Sequence, residues 1–338
     1  MNTDLPPWLD GAQRVLEEAF SGARPPHALL LRAAEGLGAD WLATWIAARV
    51  LCQASAGRPC GICKSCSAIE RGNHPDLFRV SPLEDSKQIR IDEVRELGAD
   101  LALKSHQGGY KVAIVHPAEA LNVNAANALL KTLEEPSGDT LLVLVTHRRA
   151  RLPATIVSRC QQLNVPAPST ADATAWLERE FPGGEGAAAL RFARGAPLRA
   201  AELAARNFAA LDREMLDLVG RLERGALDIP AVSDQWTRSA KADLPDRTLW
   251  LETWVTENVL RAMAGADSGG AQAISGLPAA NETLKIRGLY RVLDHLRRMK
   301  IVSQSSLNMT MAVESLLLDL ETALAGRPVV ERSGGGRR

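Results

Sequence analysis

The first half of this chain alternates short strand-like blocks with amphipathic stretches. His27–Leu31, Leu77–Val80, Lys111–Val115, Leu141–Val145 and Gln161–Val165 are the blocks, and Leu141–Val145 is apolar throughout. A short apolar run between turn residues predicts a strand buried on both faces. The stretches between them repeat apolar residues at helical spacing. One carries Trp41, Leu42, Trp45, Ile46 and Val50; another carries Ile91, Val94, Leu97 and Leu101. A third reads from Asn124 with Ala125, Leu129, Leu130 and Leu133, and it stops at Glu134-Glu135-Pro136. Proline cannot continue a helix and moves its predecessor out of the helical region. Strands and helices alternating to residue 165 predict a parallel α/β sheet with helices on both faces.

Beyond Pro166 and Pro168 the strand pattern ends. Ala171–Phe181, Ala187–Ala193 and Pro197–Ala205 read as three short helices, which makes 166–206 a small helical domain. Phe208–Glu223, Arg247–Met263, Leu284–Lys300 and Asn308–Leu324 are longer, and 207–326 is predicted to form a helical bundle. Asp267–Gly276 is small and glycine-rich and is expected to be an exposed loop. Residues 327–338, ending in three glycines and two arginines, are expected to be disordered.

Composition narrows the function. The 338 residues are enough for two or three domains. Forty basic residues balance forty acidic ones. That balance gives no support to a non-specific grip on nucleic acid or to a polybasic membrane surface. With no basic-then-apolar leader and no long apolar run, the expectation is a soluble, cytoplasmic protein.

Four places carry candidate chemistry. Cys52, Cys60, Cys63 and Cys66 have the spacing of a closed four-thiolate zinc site, which would be structural; buried free cysteines are the alternative. No histidine is needed to complete that shell, so His74 is not expected to be a ligand. Ala33–Asp40 is a glycine-bearing loop between a strand and a helix, the context of a phosphate-binding loop. Gly36 and Gly38 are present, but Ala33 stands where the first glycine belongs. Ala39 replaces the lysine and Asp40 the hydroxyl that would ligate magnesium. A tight strand-to-helix turn without an ATP site is the expectation. His116-Pro117 follows the third strand, where a magnesium-dependent ATPase of this class would place an acid; His116 reads as a polar residue at a strand end. Finally, Arg159 in Ser158-Arg159-Cys160 must either find a partner or face solvent.

Four motifs then stand together. They are the cysteine cluster followed by Gly72-Asn73-His74-Pro75-Asp76, the stretch Asn127–Pro136, the stretch Pro153–Gln161, and Gly195–Ala200. Over about residues 1–325 the chain resembles the AAA+ subunits of bacterial DNA polymerase III clamp loaders. The resemblance implies an AAA+ sheet domain with a zinc module, a helical lid and a helical collar bundle. Within the family, Ala39, Asp40 and His116 point away from the gamma/tau ATPases and toward a non-hydrolysing paralogue; the delta subunit lacks the cysteine cluster and the Ser-Arg-Cys motif. The resemblance implies gamma/tau and delta subunits as partners, with the sliding clamp and primed DNA reached through the complex. By it, Arg159 is an arginine finger for a neighbour's ATP, with an intramolecular salt bridge as its alternative. Arg199 matches a lid arginine that senses the γ-phosphate, and Thr146 a sensor position; here both are expected to be vestigial or structural. DNA polymerase activity would attach to such a chain by association only. A gamma/tau-type ATPase and a zinc-dependent DNA-binding module are the competing readings.

Overall fold

Five strands, all parallel, organise the N-terminal part of the protein: β1 (Ala28–Arg32), β2 (Leu77–Val80), β3 (Lys111–Val115), β4 (Thr140–Thr146) and β5 (Gln161–Asn164). Their order across the sheet is β2-β3-β4-β1-β5. A computed structural model describes residues 5–22, 25–83, 86–147, 152–182, 185–206, 208–238, 243–264, 282–302 and 309–326. The expected loop Asp267–Gly276 and the expected tail 327–338 lie outside the described residues.

Side chains alternate across a strand, so each strand feeds two cores. On one face Leu29, Leu31, Val112, Ile114, Val143 and Val145 pack with Leu16 of α1 (Asp10–Ser21) and with Leu42 and Ile46 of α2 (Ala39–Leu51). On the other, Leu30, Ala113, Val115, Leu142 and Leu144 meet α4 (Ile91–Ala102), α5 (Val123–Glu134) and α6 (Ala154–Val157). Helices on both faces are what the uninterrupted apolar run of β4 required. The cysteine stretch adds α3 (Lys64–Glu70).

Helix α5 begins just ahead of the periodic residues because Asn122 caps it, accepting a bond from the Ala125 N–H at 2.8 Å. It ends at Glu134, two residues before Pro136. A crossover helix between the parallel strands β3 and β4 returns the chain from the carboxyl edge of the sheet to the amino edge. Glu134 is therefore at the amino edge.

The chain divides into two compact units, 1–202 and 203–338. The first also contains α7 (Thr170–Glu180), α8 (Glu185–Phe192) and most of α9 (Pro197–Ala205). The second contains α10 (Phe208–Glu223), α11 (Ile229–Arg238), α12 (Leu244–Ala264), α13 (Glu282–Val302) and α14 (Met309–Leu324). Apolar periodicity does not foretell α11, which buries only Ile229, Ser233 and Trp236, too few apolar positions to stand out. Trp250, Leu251, Val255, Val292, Leu296, Val313, Leu316 and Leu317 form the interior of this helical unit. Among the described residues no helix is long and apolar enough to cross a membrane.

Candidate functional site

The loop Ala33–Asp40 leaves β1 at the carboxyl edge, where a phosphate-binding loop would lie, and the chain itself covers it. Gly36 has φ 81°, a left-handed conformation that favours glycine. A Cβ there would lie 2.6 Å from the Cβ of Arg199 and 3.2 Å from that of Ala196. The N–H of Leu198 donates to the Gly36 carbonyl at 3.2 Å. Gly38 is approached by Leu198 and Leu9, and the Trp8 indole donates to the Leu37 carbonyl at 2.9 Å. Helix α9 thus rests directly on the loop. Arg199 spends its guanidinium on Glu202, 3.0 Å away on the same helix. Asp40 sits in the first turn of α2, where its carboxylate complements the positive end of the helix.

Further along the same edge His116 and His147 meet, Nε2 to Nε2, at 3.0 Å. The surroundings set the tautomers. Nδ1 of His147 lies 3.2 Å from the Ala33 carbonyl, which can only accept, so Nδ1 carries the proton. Its Nε2 then accepts, and His116 donates through Nε2–H. The backbone N–H of His147 bonds to the Glu119 carboxylate at 3.1 and 3.3 Å. Burial, and then His147, push His116 below the usual imidazole range, against the pull of Asp40 and Glu119. His116 is accordingly a bonded residue at a strand end. Thr146 is buried at the end of β4, and its carbonyl accepts from Ala33 N–H.

The four cysteines come together. All four sulfurs lie within 4.8 Å of one another, and those of Cys52 and Cys63 are 4.0 Å apart. Metal–sulfur bonds of about 2.3 Å arranged as a tetrahedron separate sulfurs by about 3.8 Å, so the donor set fits a bound metal ion. Backbone N–H groups already point at sulfur: Cys60 N–H at Cys52 Sγ and Cys66 N–H at Cys63 Sγ, each at 3.4 Å. Burial opposes charge on Cys63, but the N–H groups of Cys66 and Gln53 outweigh it and bring that thiol down to about 6. Burial and the Cys63 sulfur push Cys66 up to about 12. Thiols this close do not all ionise unless a cation joins them.

Lys64-Ser65-Cys66 forms the first turn of α3, with Cys63 as its N-cap. His74 supports this cluster from behind and is not among the clustered ligands. Its Nδ1 accepts from the Asp76 N–H at 3.1 Å, so Nε2 carries the proton and donates to Ser65 Oγ at 2.8 Å. Ser65 in turn donates to the Leu51 carbonyl at 2.6 Å. Asp76 accepts the N–H groups of His106 and Gln107 at 2.8 and 3.1 Å. The Asn73–Asp76 turn therefore ties the cysteine module to the sheet.

Arg159 lies at the opposite edge. It precedes β5, and β5 runs parallel to β1 with Leu29 beside Gln161 and Arg32 beside Asn164. About six residues of extended chain, roughly 20 Å, separate its level from the loop after β1. Ile156, Val157 and Cys160 are buried around it and anchor the corner. The Arg159 side chain keeps 36% of its surface exposed. One Nη donates to the Thr155 carbonyl at 2.9 Å and the other pairs with Glu134 at 2.5 Å. The intramolecular salt bridge exists, and it leaves the guanidinium at the surface. Sequence reasoning misses Glu134 as this partner and His147 as that of His116. Glu134 does leave a signal: an acid at a helix C-terminus is unfavourable unless a cation joins it.

A family model described as "DNA polymerase III, delta subunit" matches residues 9–169. DNA polymerase III subunit delta' of Pseudomonas aeruginosa is 36% identical over 331 residues, covering 93% of this chain and 97% of the relative. The subunit of the same name from Escherichia coli (strain K12) is 32% identical over 327 residues, covering 93% and 95%. DNA polymerase III subunit tau of Salmonella typhimurium is 31% identical over 161 residues, covering 46% of this chain and 25% of that protein.

Proposed function

The chain belongs to the delta-prime family of DNA polymerase III subunits, and on that premise we propose that it is a non-hydrolysing member of a clamp-loader complex that supplies Arg159 to ATP bound by a neighbouring gamma/tau subunit. The observation that carries this reading is the separation of two charged places. Arg159 stands half-open at the amino edge, while the loop Ala33–Asp40 lies at the carboxyl edge beneath α9. An arginine so placed is remote from its own chain's loop and available to another chain. Its planar, permanently charged fork matches phosphate oxygens. Fingers supplied in trans accelerate GTP hydrolysis by roughly 10³–10⁵.

The partners in this reading are gamma/tau and delta subunits, through residues 207–326 as collar, with the sliding clamp and primed DNA engaged by the assembled complex in the cytoplasm. The ion held by Cys52, Cys60, Cys63 and Cys66 is zinc, in a structural role that four thiolates and no open position favour. Elemental analysis of chain purified without chelator should return about one zinc per chain. Less than about half an equivalent would exclude the site.

Reconstitution with gamma/tau and delta partners tests the finger. Arg159→Ala should leave assembly intact and remove part of the DNA-stimulated ATP hydrolysis. Hydrolysis at the wild-type rate in that complex would overturn the assignment. Magnesium-dependent hydrolysis by the isolated chain would instead favour a gamma/tau-type ATPase, which Ala39 and Asp40 oppose.

A further inference from the structure

We propose that Glu134 is a positioning residue for Arg159: its carboxylate holds the guanidinium at the corner before α6 gives way to β5, so that the arginine meets a neighbour's phosphates already oriented. The inference rests on the finger reading above.

Three observations converge on the pair. Glu134 is the last residue of α5, where the helix presents its negative end. A carboxylate there adds like charge to like, a modest penalty that a cation beside it relieves. Arg159 is that cation, 2.5 Å away and separated by 25 residues of sequence, a distance only the fold closes. The guanidinium is also held from a second direction. The carbonyl of Thr155, the second residue of the short helix α6, accepts from the other Nη at 2.9 Å. Two tethers on two nitrogens fix both the position and the plane of the fork. A guanidinium has five N–H groups, so three remain for incoming oxygens.

The backbone beneath is packed against the core. Cys160 is buried in the core that also contains Ile156, Val157 and Leu133. Leu133 and Cys160 are the immediate neighbours of Glu134 and Arg159, so the core that packs them also sets the pair. Arg159 would otherwise be a long side chain on a fixed stub, losing its rotamer freedom only when the neighbour arrives. Holding it beforehand lowers that cost. A half-exposed pair is also weak enough to adjust when the far greater charge of a triphosphate arrives.

The test uses the reconstituted complex with four forms of this chain: wild type, Glu134→Ala, Arg159→Ala and the double variant. Glu134→Ala should lower the neighbour's maximal hydrolysis rate about two- to fivefold, the range an exposed ion pair supplies, with KM for ATP unchanged. Glu134→Asp should recover part of the loss. In the Arg159→Ala background the Glu134 substitution should add nothing, since it acts through the arginine. A full rate in Glu134→Ala, while Arg159→Ala is slow, would overturn this inference and leave the finger intact. An equal loss in both backgrounds would also overturn it, marking Glu134 as structural. A full rate in Arg159→Ala would overturn both readings together. One readout on the free chain is independent of hydrolysis. Modification of Arg159 by an arginine-selective dicarbonyl, measured by peptide mass spectrometry, should be severalfold faster in Glu134→Ala. Equal rates would mean that the carboxylate does not hold the guanidinium in solution.

Discussion

At the carboxyl edge of the sheet the loop Ala33–Asp40 is covered from within, by Ala196, Leu198 and Arg199 of the helical segment and by Leu9. At the amino edge Arg159 is tethered but a third exposed. Both places belong to one α/β unit and carry charge beside a turn, yet they are finished in opposite ways. At the covered edge His116 bonds to His147, Asp40 sits in the first turn of α2, and Arg199 pairs with Glu202 on its own helix beside Gly36. At the other edge the charge has partners and still faces outward. The loop is closed over by backbone and short side chains, whereas a tethered cation with spare N–H groups can still meet an anion from another molecule. In the proposed reading the chemistry of this subunit lies at its boundary.

The difference can be broken experimentally, and the covered edge should respond most strongly in stability. Gly36→Ala forces a side chain into a left-handed conformation and toward the Cβ of Arg199, 2.6 Å away. Strain and overpacking together should cost about 2–4 kcal/mol in chemical denaturation. An unchanged midpoint would mean that α9 does not rest on the loop in solution. Asp40→Asn should cost about 0.3–1 kcal/mol, less at high salt, because it removes a carboxylate from the first turn of α2. A gain in stability would show that Asp40 is a burden left by the lost nucleotide site rather than its replacement.

Part of this contrast is legible in the sequence and part is not. The missing lysine and hydroxyl at Ala39 and Asp40 are visible because a motif names its positions. The strands are visible because burial on both faces leaves an unbroken apolar run, as in Leu141–Val145. The cysteine cluster is visible in its spacing. The cover over Gly36 is not, because it is built from backbone and short side chains more than 150 residues further along. Helix α6 has only four residues, too few to show a period. Helix α3 starts inside the cysteine cluster, where the metal-like spacing conceals the helical one. The Glu134–Arg159 pair joins two motifs that read separately along the chain. What escapes is long-range pairing of polar groups, which local periodicity does not encode.

A smaller effect concerns pH. His116 titrates below the usual 6.5 because burial, and then His147, disfavour its charge. Above 6.5 it is neutral in both folded and unfolded chains and the full stability is present. As the pH falls, the unfolded chain takes up the proton first, so stability is lost down through the folded value. His116→Gln should flatten the stability profile below about pH 6.5 by less than one proton's slope. A profile unchanged by the substitution would remove His116 from the account of the covered edge.

The smallest effect on the chain's own stability belongs to the residue assigned the largest effect on its neighbour. Arg159→Ala removes an ion pair that is a third to a half exposed, and exposed pairs contribute about 0.2–1 kcal/mol at most. The unpaired Glu134 left behind can be solvated, so the loss should fall near the lower end, within about 0.5 kcal/mol. A residue kept for folding would behave otherwise: its removal would lower the midpoint of the isolated chain and leave partner hydrolysis dependent only on assembly. If Arg159→Ala cost as much stability as Gly36→Ala, the amino edge would be as internally committed as the carboxyl edge. The corner would then be structural. Near-wild-type stability together with slowed hydrolysis in the complex is the combination that an outward-facing arginine requires, because the energy of its fork is then spent on phosphate oxygens of another subunit.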